Sequence, residues 1–408
     1  LARQTTRLEN AAELIAGRSP ERILRFLFLF AIVSGCSSNA AQTNPESEDP
    51  SADRMQPDPA SVRQYLVDKD ATRETAALFY NLKEISETRY LVGVHENETI
   101  MNRAGNVSEA LYGTDFMFIT DYLRNTGSWY KNKQTEIRDK IKARYKLGEV
   151  ITMCWHYRNP ISDEPDNFYW SSLLKENPAQ ENIVPRLIPG GSQHDRLKAS
   201  LDILADFANS LTDDSGNKIP VLFRPWHEQS GDWFWWGTPH HCTQEEYRKL
   251  WKFTVEYLRD IKGVHNFLYV YSPNGNTADE GTYLNTYGYP GDAYVDILGV
   301  DYYLTNVTAA KMNTQAQLKL IADLAARKRK IAAFTETGYD SGKYPVQNLL
   351  FTDTYAPMIG DTQIAYMMFW SSENYIPSGS YMSFYSYVRS PRVVTSINCP
   401  DMFTFPTH

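Results

Sequence analysis

Little in this chain points to metal, disulfide or nucleotide chemistry. Its 408 residues hold only four cysteines, Cys36, Cys154, Cys242 and Cys399, and no two share a CxxC or other metal-ligand spacing. Local sequence therefore offers no zinc site. Two of the last three are free to pair in an oxidising compartment, but the reading adopted keeps all of them as thiols. No GxGxxG or GxxxxGK[ST] turn is present, which removes the commonest dinucleotide and phosphate-loop signatures. The zinc-protease pattern HExxH fails twice, at Gly231 after His227-Glu228 and at Thr99 after His95-Glu96. His240 and His241 are adjacent, so they point apart on any regular element and form no convergent ligand set with Cys242. A GxSxG elbow is also missing. Positive charge is in deficit, with 41 Lys and Arg against 49 Asp and Glu, and a net charge of -8 repels nucleic acid. No metal, cofactor or nucleic-acid partner is expected.

Aromatic residues are plentiful. The chain carries 27 tyrosines and 9 tryptophans, an aromatic fraction of 13%. Such rings serve core packing and stacking on sugar rings alike.

The N-terminal segment reads as an export signal. Arg22 and Arg25 precede the apolar run Phe26 to Val33, and Ser34, Gly35 and Cys36 follow. That run falls far short of the ~20 apolar residues a membrane span needs. Val33-Ser34-Gly35-Cys36 resembles a bacterial lipoprotein box, which implies acylation of Cys36, and Ser37 resembles the outer-membrane sorting choice. Residues 1–35 are therefore expected to be a lipoprotein-type signal region, those before about Ser19 lying outside any fold. Residues 36–60, rich in Ser, Asn, Asp, Glu and Pro, cannot offset their ordering entropy and are expected to form a flexible tether. An exported outer-membrane lipoprotein, facing the periplasm or the cell surface, is the expected localisation.

Residues 61–408 show a recurring pattern of a short apolar run followed by a longer stretch of helical period. The runs are Leu91–His95, Phe116–Thr120, Val150–Trp155, Val221–Trp226, Phe267–Tyr271, Val295–Asp301, Ile331–Thr335 and Ile364–Trp370. The clearest helices are predicted at Arg196–Leu211, Gln244–Ile261 and Ala309–Arg327, with Ile321, Leu324 and Ala325 on one face of the last. Continuous apolar strands alternating with helices imply a parallel sheet covered on both faces. Eight units without a phosphate turn favour a closed (β/α)8 TIM barrel, a single catalytic domain, over an open doubly wound sheet.

Chemistry collects at the carboxyl ends of these runs, where barrels place their active sites. The ends read His95-Glu96, Asp121, Trp155-His156, Trp226-His227-Glu228, Asp301-Tyr302-Tyr303, Glu336 and Trp370. Strand alternation predicts that Arg224, Trp226 and Glu228 share one face and that Phe334 and Glu336 share another. Pro225 cannot donate to a ladder, and a bulge beside it is expected to re-aim His227 and Glu228 toward the barrel mouth.

The stretch RPWHEQSGDWFWWG, from Arg224 to Gly237, resembles the acid/base motif of glycoside hydrolase family 26, the β-mannanase family. Phe334 to Gly338, FTETG, resembles that family's nucleophile motif after the seventh strand. Trp155-His156, Val295-Asp296 leading to Asp301-Tyr302-Tyr303, Phe369-Trp370 and Pro189-Gly190-Gly191 are similar to further family positions, so the likeness spans roughly residues 75 to 390. It implies a retaining hydrolase of β-1,4-mannosidic bonds in mannan or galactomannan, with Glu228 as acid/base and Glu336 as nucleophile. It implies that Tyr303 orients Glu336, that Arg224 and His227 tune charge, and that His156 grips a hydroxyl. Trp370 would form the floor of the subsite and Trp233 a wall near the leaving group. A β-1,3-xylanase or β-1,3-1,4-glucanase of the same family, or a non-catalytic glycan-binding lipoprotein, are the alternatives.

Overall fold

The structure, a computed structural model, describes residues 59–120, 127–161, 182–275, 277–304, 307–371 and 375–406. The expected signal region, Cys36, nearly all of the tether and Asp121 lie outside them. The described residues fall within one compact unit, Gln56–His408.

Strands β1 (Tyr90–His95), β2 (Leu111–Asp115), β3 (Val150–Cys154), β4 (Val221–Arg224), β5 (Phe267–Tyr271), β6 (Ile297–Leu304), β7 (Ile331–Tyr339) and β8 (Tyr366–Phe369) pair in sequence order, all parallel. The ring closes because β1 pairs β8 from Leu91↔Tyr366 to Val94↔Phe369 and pairs β2 from Gly93↔Leu111. A two-residue strand, β9 (Val393–Val394), lies outside this ring against the start of β1. This is the (β/α)8 barrel.

Helix α1 (Arg73–Ser86) precedes the barrel. The crossovers carry α2 (Glu98–Gly105), α3 (Ser128–Lys146), α4 (Ile183–Leu187), α5 (His194–Ser210), α6 (Gln244–Glu256), α7 (Val307–Lys328) and α8 (Ala356–Ile359), and α9 (Tyr381–Tyr387) follows β8. The three predicted helices are present with small shifts at their ends. Helix α6 opens on a capping box, in which Thr243 and Glu246 satisfy each other's backbone donors. It then passes at Tyr257 into a wider turn that ends at Ile261. In α7, Ile321, Leu324 and Ala325 are buried as their spacing predicts.

Alternation along the strands sorts two apolar layers. Leu91, Leu111, Val150, Leu222, Leu268, Ile297, Ile331 and Tyr366 form one buried cluster, which also takes in Leu78 and Leu82 of α1. Leu222 has the parity of Arg224, whose side chain crosses to β6 and β7, so this face is the barrel interior. Val92, Tyr112, Ile151, Phe223, Tyr269, Leu298, Ala332 and Met367 have the opposite parity and belong to the larger cluster beneath the helices. Each such fully buried aliphatic side chain contributes roughly 1.5–3 kcal/mol of transfer free energy. At the amino end of the barrel, Asp296 accepts from the backbone N–H of Val67 and of Tyr269, each at 2.8 Å, and ties the preceding segment to β5. That end carries stability, and Asp296 is no part of the mouth.

The second strand departs from expectation. It runs from Leu111 to Asp115, whereas the sequence pattern placed it at Phe116–Thr120. Gly113 and Asp115 face the interior near the mouth, where polar side chains belong, so the true strand looks hydrophilic. The apolar segment after it is a turn, closed by Ile119 N–H to Phe116 O at 2.9 Å. It is apolar because Phe116 packs edge-on against Phe207 and Phe223 between strands and helices. The residue that ends β2 at the mouth is therefore Asp115.

Candidate active site

Two backbone irregularities shape the mouth. β4 stops pairing at Arg224, ahead of Pro225, and the chain then places both Trp226 (φ 50°) and Glu228 (φ 55°) in the left-handed region. Left-handed backbone at a non-glycine residue costs on the order of 1–3 kcal/mol and persists only where the surroundings over-determine it. They do so here. Glu228 N–H donates to Ser272 O at 2.8 Å, Trp236 Nε1–H to His227 O at 2.8 Å, and Tyr247 O–H to Trp226 O at 3.0 Å. Trp226 donates its own Nε1–H to Thr254 Oγ1 of α6 at 3.1 Å and packs among Trp155, Trp235 and Trp236 in the helical layer. The expected common face for Arg224, Trp226 and Glu228 is thus overturned: strand parity ends with the strand, and a pair of left-handed residues re-aims the chain in place of a ladder bulge.

The bulge lies instead in β7. The β6–β7 register runs Val300↔Phe334 and then Asp301↔Glu336, leaving Thr335 as an extra residue. One inserted residue reverses strand parity. Phe334 consequently faces the helices while Glu336 faces the interior, against the expectation that they share a face. Room for the insertion comes from Gly299, where a Cβ would stand 2.4 Å from Thr335 Cγ2. Thr335 Oγ1–H donates to Asp301 Oδ1 at 2.6 Å and anchors the bulge.

These devices bring the two distant glutamates into one buried polar cluster. Arg224 reaches across the barrel, donating from Nη2 to Glu336 Oε2 at 2.5 Å, from Nη1 to Asp301 Oδ2, and from Nη1 to Ser272 Oγ at 3.2 Å. Tyr303 O–H donates to the other oxygen of Glu336. Both oxygens of Glu336 are therefore held by donors, Arg224 on one and Tyr303 on the other. Glu228 has a different environment. Trp233 Nε1–H donates to its Oε2 at 2.6 Å, and Asn274 approaches its Oε1 at 3.4 Å. Burial, followed by the charge of Glu336, raises its carboxyl to about 7 despite the Trp233 bond. The two carboxyl groups thus stand in different surroundings, Glu336 with donors on both oxygens and Glu228 raised by burial and its neighbour.

A histidine pair lies beside them. His156 meets Asp115 Oδ2 through Nδ1 at 2.5 Å, and its backbone N–H donates to Asp115 Oδ1 at 3.1 Å. Burial opposes a charge on His156, yet the charge of Asp115 and its hydrogen bond hold the imidazole above its ordinary pKa. Its Nε2 faces His227 Nε2 at 3.2 Å. Burial, together with the charges of Arg224 and His156, holds His227 well below the usual histidine range, so His227 is neutral. One proton therefore lies on the line between the two rings. Trp370, at the end of β8, stacks on His95 with centroids 4.3 Å apart and planes 10° from parallel, and its edge meets His156 at 5.6 Å. Burial drives His95 down to about 3, leaving a neutral ring in that stack.

The structure places Glu336 with Arg224 and Tyr303, Glu228 with Trp233, and His156 with His227 in three hydrogen-bonded groups whose charges act on one another, with Trp370 stacked beside the histidines. Asp115 and Asn274 belong to these groups and were not singled out from the sequence. The signal for Asp115 was hidden by the misplaced second strand, and Asn274 lies past the end of β5, whose run offered no reactive residue. Among the described residues, His95, Asp115 and Cys154 bring one ligand atom each within 4.8 Å of one another. Asp115 is committed to His156, however, and burial keeps the Cys154 thiol protonated, so these residues do not fit a resident metal. Cys154, Cys242 and Cys399 are all free thiols.

Known proteins share this architecture. Mannan endo-1,4-beta-mannosidase of Bifidobacterium adolescentis is 32% identical over 333 residues, which are 75% of this chain and 32% of that protein. The chain thus spans about a third of that relative's length. Mannan endo-1,4-beta-mannosidase of Bacillus subtilis strain 168 is 32% identical over 283 residues, 68% of this chain and 70% of that one. Among solved structures, GH26C from Muricauda sp. superposes with a TM-score of 0.80 at 35% identity, covering 87% of this chain and all of that one. A modular endo-beta-1,4-mannanase from Cellulomonas fimi gives 0.73 at 31% identity, covering 83% of this chain and 79% of that one. The model of glycosyl hydrolase family 26 matches residues 67–380, the stretch that holds the barrel and both glutamates, and the chain belongs to that family.

Proposed function

We propose that this chain is a retaining β-mannanase that cleaves β-1,4-mannosidic bonds in mannan or galactomannan by double displacement. The observation that carries the reading is the difference between two buried carboxyls, one of which acts on the other through its charge. Glu228 keeps its proton up to about pH 7, while Glu336 accepts from Arg224 and Tyr303. A protonated acid and an ionised nucleophile in one pocket are what a retaining glycosidase requires. In the first step Glu336 attacks the anomeric carbon as Glu228 donates its proton to the leaving glycosidic oxygen. The product is a glycosyl ester on Glu336. In the second step Glu228, now a carboxylate, takes a proton from water, and the resulting hydroxide displaces Glu336 with net retention. Tyr303 and Arg224 hold the nucleophile's two oxygens in place. His156 would grip a sugar hydroxyl by sharing the Nε2 that otherwise faces His227, His227 tunes the local charge, Trp370 offers the stacking floor for the sugar being cleaved, and Trp233 both orients Glu228 and walls the leaving-group side.

Reducing-sugar release from galactomannan, mixed-linkage β-glucan and β-1,3-xylan tests the substrate. Activity confined to the last two replaces mannan with the alternative polysaccharide. Proton NMR of the first-formed product tests the chemistry, since initial release of the α-anomer would remove the double displacement. Glu336→Gln should abolish turnover, and a wild type that binds mannan without cleaving any polysaccharide would make the chain a glycan-binding protein. The chain is further proposed to reach the outer membrane on a lipid carried by Cys36. Palmitate labelling of the wild type, lost in Cys36→Ala, tests this.

A further inference from the structure

We propose that Tyr366, at the foot of β8, is a positioning residue for the nucleophile and acts through one buried water held between its phenol O–H and Asp301 Oδ1. The inference rests on the glycosidase reading above and deepens it, since the phenol bonds to neither glutamate.

The starting point is a hydroxyl without a bond. Tyr366 is fully buried in the apolar cluster that fills the barrel interior, yet its Oη has no partner among the described residues. Buried polar groups are almost always hydrogen-bonded, and a native exception calls for a reason. Phenylalanine would fill the same space without burying an oxygen, so packing does not account for the hydroxyl. Strand register says what lies above it. Phe334 pairs with Met367, so the preceding residues, Ala333 and Tyr366, stand side by side on the interior face, and Ala333 pairs in turn with Gly299. On that side the neighbours of the ring are a methyl and a residue without a side chain. The next interior residues toward the mouth are Asp301 on β6 and, past the bulge, Glu336 on β7. Tyr366 therefore stands one layer below the two carboxylates, and the charges of Arg224 and Asp301 both act on its phenol.

Asp301 has one place left to accept. A carboxylate offers about four lone-pair sites. Thr335 Oγ1–H takes one on Oδ1 at 2.6 Å, while Arg224 Nη1–H and Ser272 Oγ–H, the latter at 3.2 Å, take both on Oδ2. The second site on Oδ1 is open, and the phenol O–H needs an acceptor. No direct bond joins the two. A water that accepts from Tyr366 and donates to Oδ1 satisfies both groups at once. Asp301 in turn holds Arg224, whose other terminal nitrogen holds Glu336. The chain from Tyr366 through water, Asp301 and Arg224 thus sets the orientation of the nucleophile from inside the packed barrel.

Two measurements on the wild type and Tyr366→Phe test this. A high-resolution crystal structure of the wild type should show one water within hydrogen-bond distance of both Tyr366 Oη and Asp301 Oδ1; a dry site, or a water that meets only one of them, overturns the proposal. The second measurement is labelling by 2,4-dinitrophenyl 2-deoxy-2-fluoro-β-mannobioside. A Glu336 oxygen bonds to the anomeric carbon, the bond to the aryl oxygen breaks, and dinitrophenolate departs with its electron pair. That leaving group needs no proton, so the proton of Glu228 does not enter the rate. Tyr366→Phe should release the same one dinitrophenolate per chain as the wild type, about fivefold more slowly, the loss of one net hydrogen bond. An unchanged rate overturns the positioning role, and so does a smaller burst, which marks a loss of folded sites. Failure of the mannan reading is seen in the wild type instead, which the mannobioside then leaves unlabelled. In that event the gluco- or xylo-configured analogue that labels the wild type carries the same comparison, and the same outcomes decide.

Discussion

Removing one hydrogen bond should move the alkaline limb of the pH profile upward. Trp233 Nε1–H donates to Glu228 Oε2 at 2.6 Å, and the indole N–H, being a donor only, stabilises the carboxylate over the acid. Burial and the nearby Glu336 raise Glu228 to about 7 against this bond. A hydrogen bond to a charged group contributes roughly 1.5–3 kcal/mol. Trp233 is half-buried, so water replaces part of what the donor supplied. About half of the gross value survives that discount, and at roughly 1.4 kcal/mol per pKa unit the carboxyl should rise by about one unit. In Trp233→Phe the descending limb of kcat/KM, which reports the free enzyme's acid, should therefore shift from near pH 7 to near pH 8. The absolute rate should fall as well, since a stacking surface shrinks, but the position of the limb is independent of that loss. Asn274→Ala serves as comparison. Its contact is longer, at 3.4 Å, and its shift should be smaller in the same direction. A limb that stays in place in Trp233→Phe, or moves to lower pH, refutes both the assignment of Glu228 as the acid and the electrostatic account of its proton.

Three further outcomes are expected. Because burial and Glu336 raise Glu228 from 4.5 to about 7, the folded state binds its proton more tightly than the unfolded chain, and stability is lost as pH climbs between those values. Glu228→Gln should accordingly recover up to about 3 kcal/mol at pH 8 and nothing at pH 4, read by calorimetry at the two pH values. Asp115→Asn removes the charge that holds His156 above its ordinary value, so the His156 imidazole, followed by NMR, should titrate at lower pH. The activity of that variant should drop ten- to a hundredfold, the usual reach of a partner that orients a functional histidine; full activity with an unmoved titration would reduce Asp115 to a loop anchor. Gly299→Ala puts a methyl 2.4 Å from Thr335 Cγ2 and should dislodge the bulge, costing kcat far more than KM because Glu336 loses its aim. Wild-type kcat in that variant would show the bulge to be dispensable.

Periodicity made the barrel legible. Seven of the eight strands lie where apolar runs predicted them, because interior and exterior faces of a parallel barrel strand are both buried and the whole strand reads as hydrophobic. The exception, β2, shows where that logic stops. Near the mouth the inward positions belong to the pocket, and Gly113 and Asp115 made a real strand look like a loop. The clustering of polar and aromatic residues at strand ends brought out Glu228, Glu336, His156, Tyr303 and Trp370, while Arg224 entered through the motif it opens. What alternation failed to predict was orientation, since a residue's face is known only as long as the ladder is regular. Trp226 and Glu228 follow a strand that has ended, and Glu336 follows one inserted residue.

Those two failures of alternation have one cause. An uninterrupted β7 would have kept Glu336 in the parity of Phe334, facing the helices. An uninterrupted β4 would have carried Glu228 along the ladder instead of turning its N–H onto Ser272 O. Regular strands cannot bring both carboxyls to Arg224 and Trp233 at once. The fold departs from regularity once beside each glutamate, and it stabilises each departure locally. Thr335 and Gly299 hold the bulge, while Ser272, Trp236 and Tyr247 hold the left-handed turn. None of these five supporting residues carries a reactive proton or a ring exposed to substrate. They are nonetheless the residues on which the encounter of Glu228 with Glu336 depends. Substitutions at Thr335, Gly299 and Ser272 should impair turnover before they impair folding, because the strain they restrain is confined to the mouth, whereas Trp236 and Tyr247 also pack in the apolar layer and their loss costs stability as well.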